Sequence, residues 1–264
     1  MIGETSNLSA QSPIVSLRNV GKTFERGTVA LDGFDLDVHP GEFVSLLGPS
    51  GCGKSTALRI IAGLSTPSAG TVRWPAGSAA DSGKIGFVFQ EPTLMPWATV
   101  ADNVRLPLKL AHADDVSAGA AVEQALARVG LGDFAQGYPR ELSGGMKMRT
   151  AIARALVTEP QLLLMDEPFA ALDEITRFAL NNELLTLWQE LEQTAIFVTH
   201  SVFESVYLSQ RILVMTPRPG RVFTEITIDA PYPRDVNFLS SAMYSIFCRM
   251  VSETLGKAMA ETGP

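Results

Sequence analysis

Nine consecutive residues, Gly48-Pro49-Ser50-Gly51-Cys52-Gly53-Lys54-Ser55-Thr56, carry the strongest chemical signal in the chain. They fit G-x-x-x-x-G-K-[ST], a pattern whose glycines let successive backbone N–H groups turn inward as an anion nest. The apolar run at 42–48 reads as a strand, and 54–63 as a helix. The helix start adds its partial positive charge at the same place. Lys54 can then reach the β- and γ-phosphates of a nucleotide, and the Ser55 hydroxyl can ligate Mg²⁺. A Gly-rich turn with an incidental lysine is the bland alternative, and the strand-to-helix setting argues against it.

A second constellation lies at 162–167, where Leu-Leu-Leu-Met runs into Asp166 and Glu167. Carboxylates at the end of a buried strand are costly unless they have partners or work. Alternation sends neighbouring side chains to different sides, so the two should differ in role. Asp166 is placed to hold Mg²⁺, directly or through water. Glu167 is placed to orient and deprotonate an attacking water. Acids at strand ends are common as plain solvated caps, and it is the phosphate loop in the same core that gives these two a task.

These residues need a scaffold, and the chain supplies its pieces. Short strand patterns occur at IVSLRNV, FDLDV and EFVSLLG, then IGFVFQ at 85–90, LLLMD at 162–166, AIFVTH at 195–200 and RILVM at 211–215. Continuous apolar runs of this length suit a parallel sheet buried on both faces. Residues 74–83 read as a loop. Residues 100–157 have little strand pattern and several helical stretches, among them 116–129 and 144–157, so an all-helical insert interrupts one α/β core. Residues 174–192 form an amphipathic pattern with Ile175, Leu180, Leu184, Leu187, Trp188 and Leu191 on its apolar face. The tail, 235–261, reads as one or two helices.

Bulk composition narrows the class. The chain has 264 residues, 46% hydrophobic, with 28 acids against 21 bases. The acidic balance argues against a nucleic-acid partner. Two distant cysteines, Cys52 and Cys248, make neither a disulfide framework nor a metal cluster. The polar start is not a secretory signal, and no apolar run is long enough to span a bilayer. The chain reads as cytosolic, with any membrane role exerted through a partner.

Leu142-Ser143-Gly144-Gly145-Met146 is a third motif. Ser143 is a good N-cap, and two glycines leave the helix start bare for an anion. It resembles the signature motif of the ABC ATPases. The order of phosphate loop, Gln90, signature, Asp166-Glu167 and His200 is likewise similar to that family over residues 14–230. The resemblance implies a P-loop NTPase (RecA-like) fold: an α/β core with a parallel sheet, an antiparallel β subdomain and an inserted all-helical subdomain. It implies an ATPase domain at 14–232 with the insert at about 91–157, preceded by a disordered 1–13 and followed by a helical tail at 233–264.

The resemblance also assigns roles. Phe24 matches the aromatic that stacks on adenine, although a lone Phe is more often core. Gln90 matches the glutamine that contacts Mg²⁺ and the water, and His200 the histidine on the γ-phosphate. Ala171-Leu172-Asp173 matches the loop that crosses a homodimer interface, in which Ser143, Gly144 and Gly145 of one chain meet the ATP of the other. Met148, Ala170 and Ser201 depart from the usual Gln, Ser and Asp, and none of them removes a group the chemistry needs.

Phe169, Leu172-Asp173-Glu174-Ile175-Thr176-Arg177 and Met215-Thr216-Pro217-Arg218-Pro219-Gly220-Arg221-Val222 look like the nitrate/sulfonate/taurine-type import ATPases. Such a subunit implies a transmembrane permease, an extracytoplasmic solute-binding protein reached through it, and a place on the cytoplasmic face of the inner membrane. The chain is too short after 230 for the regulatory barrel of sugar-import ATPases. A soluble non-transport ABC ATPase would carry coiled-coil inserts or paired cassettes, and a P-loop small-molecule kinase would lack the signature and His200.

Two features have open readings. Cys52 beside a helix start is either a thiol of lowered pKa, open to bulky reagents and protected by MgATP, or a small filler. Leu94, Met95 and Trp97 are either an exposed permease-docking patch or packed inside the insert.

Overall fold

The computed structural model describes residues 12–74 and 85–261. The disordered start and the 74–83 loop expected from the sequence lie almost wholly outside those residues.

A six-stranded sheet forms the centre, in the order β5 (Ile85–Val88), β6 (Leu162–Asp166), β7 (Thr194–Thr199), β3 (Phe43–Leu47), β8 (Arg211–Met215), β9 (Val222–Thr227). The first five are parallel, and β9 closes the edge antiparallel to β8. Period-two alternation sorts each central strand between two apolar layers. Phe43, Leu47, Leu163 and Met165 enter one layer, with α4 (Gly144–Leu156), α5 (Glu174–Glu190), α6 (Val202–Leu208) and α8 (Ala242–Ala260). Val44, Leu46, Leu162 and Leu164 enter the other, with α1 (Lys54–Ile61) and a second sheet. That sheet is antiparallel, in the order β2 (Val29–Val38), β1 (Val15–Thr23), β4 (Ala69–Arg73). β4 and β9 escape a search for apolar runs because their side chains are largely exposed or half-buried.

Between β5 and β6 the chain is helical: α2 (Val100–Leu110), α3 (Asp115–Arg128) and α4, with two single 3₁₀ turns. Side-chain caps start them where the sequence changes from loop to helix. Thr99 accepts from Asp102 N at 3.1 Å, Asp114 from Ser117 N at 3.0 Å and Ser143 from Met146 N at 3.3 Å, each cap stabilising by about 1 kcal/mol. In α5 the expected apolar face holds for Leu180, Leu184, Leu187 and Trp188, but Ile175 is 83% exposed. Ile175, in the first turn of this helix next to its cap Asp173, faces an open cavity shared with Phe178 and Phe203 rather than the core. The tail folds as α7 (Val236–Leu239) and α8.

One polar side chain braces the start of the helical region. Asn103, fully buried in α2, accepts from Met95 N at 2.7 Å, and its amide nitrogen lies 3.2, 3.2 and 2.9 Å from the carbonyls of Met95, Ala98 and Thr99. It satisfies a loop that has no ladder to satisfy it. Asn103→Ala should therefore destabilise the chain by about 3 kcal/mol, because several backbone groups lose partners at once. Denaturant unfolding checks this, and wild-type stability of the variant would remove Asn103 as the brace.

Candidate active site

The functional residues converge because of strand register. Leu47 pairs with Thr199, and Asp166 pairs with Val198. Gly48, Glu167 and His200 therefore leave three adjacent parallel strands at one edge, the carboxyl edge where open α/β sheets bind ligands. Gln90 follows β5 at the outer side of the same edge and is exposed.

The phosphate loop is a bare curve of backbone from β3 to α1. Gly53, with φ 109°, is the N-cap of α1, and a Cβ there would sit 2.6 Å from the Ala30 carbonyl oxygen. Only glycine meets both the conformation and the space. Lys54 is 3% exposed and folds back under the loop, donating to the carbonyls of Gly48 at 2.7 Å and Pro49 at 3.0 Å. Its Nζ also lies 3.5 Å from Glu167 Oε1. The other Glu167 oxygen lies 3.0 Å from His200 Nδ1. Glu167 itself takes φ 47°, an unusual backbone for a residue with a side chain. The carboxylate thus stands between the loop's ammonium and an imidazole that is half in solvent.

Beside it the Ser55 hydroxyl donates to Asp166 Oδ1 at 2.7 Å. A hydroxyl and a carboxylate are hard oxygen donors and fit Mg²⁺, which takes one or two carboxylates and completes its shell with phosphate and water oxygens. Among the described residues no cluster of three or more His, Cys, Asp or Glu builds an all-protein metal cage, and this donor set does not need one. Asp166 is 7% exposed, and burial raises its carboxyl above the ordinary range, against the Ser55 hydrogen bond and the nearby Arg59 and Lys54.

A cavity of about 180 Å³ joins Phe24, Gly51, Lys54, Ser55, Thr56, Glu167 and Arg218. Phe24 is 46% exposed, with Lys22 Nζ 5.5 Å from its ring centre, so the ring lies at the surface rather than in the core. Ser143, Gly144, Gly145 and Asp173 do not line this cavity. They form a second surface, where α4 and α5 start side by side. A Cβ on Gly144 would lie 3.2 Å from Leu172, and one on Gly145 would lie 2.8 Å from Thr176. Asp173 caps α5 through Thr176 N at 3.0 Å, which holds its carboxyl below the usual range.

Cys52 takes the second of its two readings. The side chain is 1% exposed and belongs to the apolar layer under the loop with Leu58, Leu213 and Met215. Burial pushes the thiol up, despite the nearby Lys54. It is a filler, closed to bulky reagents in the folded chain. Arg218 is a cavity-lining residue that residue-by-residue reading missed: its motif was visible, but only the fold brings it to the loop.

The sequence pattern of the ABC transporter family matches residues 31–170. The chain belongs to this family. It is similar to a putative ATP-binding protein of Brucella abortus biovar 1, with 47% identity over 223 residues, 84% of this chain and 85% of the relative. It is also similar to an aliphatic sulfonates import ATP-binding protein, SsuB, of Bacillus cereus, with 44% identity over 227 residues, 84% of this chain and 89% of the relative. Among solved structures it resembles the ATP-binding cassette MJ0796 in a dimeric post-hydrolysis state bound to ADP and Pi, with TM-score 0.72, 35% identity, and coverage of 82% of this chain and 100% of that one. The ABC chain described here is thus an ATP-binding subunit with ATPase activity, built on the P-loop NTPase fold. No described helix is long and apolar enough to cross a membrane.

The raised Asp166 carboxyl predicts a conflict between stability and chemistry. A carboxyl whose folded pKa is raised favours the fold below the ordinary carboxylate range, and that contribution is lost as pH rises through the folded pKa. At neutral pH the nucleotide-free ABC subunit carries a buried charge that Asn would not. Asp166→Asn should raise the melting temperature of the nucleotide-free protein at neutral pH, with the difference closing toward acid, while abolishing MgATP hydrolysis. A variant that melts below wild type at neutral pH would show that the charge is already compensated.

Proposed function

We propose that this subunit hydrolyses MgATP at the carboxyl edge of its sheet, as one half of a head-to-tail homodimer that drives solute import through a membrane permease. The ATPase unit spans 14–232, with the insert at about 91–157 and the tail at 233–264. One observation carries the reading: Lys54, Ser55, Asp166, Glu167 and His200 stand together, while 143–145 lie on a separate surface.

The nest at 48–56 holds the phosphates, with Lys54 moving from the loop carbonyls to the β- and γ-phosphates. Phe24 stacks on adenine. Ser55 and Asp166, joined by Gln90, hold Mg²⁺, which neutralises phosphate charge when bound. Glu167 accepts a proton from the attacking water as its oxygen bonds to the γ-phosphorus. The bond to the bridging oxygen breaks, and ADP leaves with the electron pair. His200 orients Glu167 and the γ-phosphate. Ser143, Gly144 and Gly145 present a capped helix start to the ATP held by the second copy, and Asp173 lies beside them at that interface. The dimeric state of the MJ0796 relative, bound to ADP and Pi, supports a dimer.

The permease would dock at a groove of about 750 Å³ between the loop at 95–98 and helices α2 and α3. Trp97 is 76% exposed there, and Met95 and Leu106 contribute apolar surface. Leu94 is half-buried. The chain would then lie on the cytoplasmic face of the inner membrane, with an extracytoplasmic binding protein delivering a small anion of the nitrate, sulfonate or taurine type. The sulfonate-import name of the SsuB relative supports that solute class.

Glu167→Gln keeps shape and a hydrogen bond but cannot take the proton. It should bind MgATP, hydrolyse it at under about a hundredth of the wild-type rate, and accumulate as an ATP-dependent dimer on size-exclusion chromatography. Adding Ser143→Arg should abolish that dimer. Undiminished hydrolysis would remove Glu167 as the base, and a dimer surviving Ser143→Arg would remove the signature from the interface. At the groove, Met95→Asp should leave ATP binding intact and abolish solute uptake in cells carrying the permease. Normal uptake would place the docking surface elsewhere.

A further inference from the structure

Arg218 sits in the turn at 216–221 that joins β8 to β9. The turn is rigid without help from the Arg218 side chain. Thr216 N donates to the Arg221 carbonyl at 3.0 Å, Arg221 N donates to Thr216 Oγ1 at 3.0 Å, and that hydroxyl donates to the Pro219 carbonyl at 3.1 Å. Gly220 clamps the turn to the core: its N–H donates to the Ala30 carbonyl at 2.9 Å, and its carbonyl accepts from Asp32 N at 3.1 Å. The Arg221 guanidinium pairs with Asp32. A Cβ on Gly220 would fall 2.0 Å from the Cys52 carbonyl oxygen, so backbone presses directly on the underside of the phosphate loop.

This rigid turn holds Arg218 over the loop's outer side. Its Nε and Nη2 both point at the Gly51 carbonyl, each at 3.3 Å. Those contacts are long and use little of a five-donor fork. Among the described residues no carboxylate pairs with Arg218, and the side chain is exposed. Yet it lines the same cavity as Phe24, Lys54, Ser55 and Glu167. The cavity's other cation is already committed, to two carbonyls and to Glu167. A guanidinium without a counter-ion, on a fixed turn at the mouth of an anion nest, is arranged for a phosphate.

We propose that Arg218 is a nucleotide-binding residue, a second cation on the phosphate chain of the nucleotide held by the loop. This rests on the placement of ATP at 48–56 proposed above. Arg218 strengthens ground-state binding and takes no part in the attack of water, since its contacts are to the loop at Gly51 and none is to Glu167 or His200. It therefore acts on the affinity for MgATP and for ADP, and not on turnover at saturation.

The test uses the full chain with four proteins: wild type, Arg218→Gln, Arg218→Lys and Lys54→Ala. Arg218→Gln keeps a donor for the Gly51 carbonyl and loses the charge. It should melt like wild type without nucleotide, raise the Kd for MgATP and for ADP about tenfold, raise KM alike and leave kcat unchanged. Arg218→Lys should recover most of the loss, and the gap between Gln and wild type should shrink in high salt. If Lys54→Ala loses binding but Arg218→Gln binds as wild type, Arg218 is only a brace for the loop and the proposal fails alone. If Arg218→Lys is as weak as Arg218→Gln at low salt, charge is not what matters and the proposal also fails. If Lys54→Ala binds MgATP as wild type, the nucleotide does not lie at 48–56 and the underlying reading fails.

Discussion

A strip of backbone has to be held open and bare at the end of β3. The nest binds anions only if its N–H groups point inward and no side chain fills the curve. The fold meets this by pressing backbone against backbone from below. Ala30 approaches Gly53, and Gly220 approaches Cys52, each so closely that a methyl group on the glycine would collide at 2.6 and 2.0 Å. Cys52 fills the space beneath with a small apolar group, and Lys54 ties the loop's own carbonyls. The antiparallel sheet and the β8–β9 turn are therefore parts of the site: they hold up the loop that the central strand presents.

Much of this was legible in sequence because the chemistry follows strand ends. Apolar runs at 162–166 and 211–215 coincide with β6 and β8, and the candidate site residues stand just beyond the ends of β3, β6 and β7. Capping was legible too: Ser143 reads as an N-cap and is one. What stayed hidden was direction. The sequence puts Cys52 next to a helix start, and nothing local tells that its side chain turns down into the core. The period of 174–192 gives Ile175 an apolar face, but not where the core ends. Arg218 lies 167 residues from Gly51 along the chain, a contact made only by the sheet order.

The tail depends on a different solution to burying polarity. Arg234 is 3% exposed and donates to the carbonyls of Val206, Tyr207, Ser209, Ile228 and Ala230, while its guanidinium lies 4.2 Å from the Tyr232 ring centre. No carboxylate pairs with it among the described residues. Carbonyl dipoles and an aromatic face stand in for a counter-ion, and burial lowers its pKa. The arrangement fastens the end of α6 and the residues just after β9 to the start of the tail. Tyr207 extends it, donating to the Arg234 carbonyl at 2.7 Å. The tail is thereby joined to the helix that follows His200.

Within the helical insert, two polar side chains hold the segment that follows Gln90. Arg154, near the end of α4, donates to the carbonyls of Pro92 at 2.7 Å and Thr93 at 2.9 Å. Asn103 holds the next residues, 95–99. The segment carrying Met95 and Trp97 is thus held by α2 and, through Pro92 and Thr93 just before it, by the helix whose first turn holds Gly144 and Gly145. That turn packs on Leu172 and Thr176, a few residues beyond Glu167. Helices transmit displacement as rigid bodies more readily than loops do. A push on the exposed segment would therefore be passed to α4, and from its first turn to Leu172 and Thr176. The close glycine contacts leave little slack between α4 and α5, so the surface of Asp173 would move with the surface of Ser143.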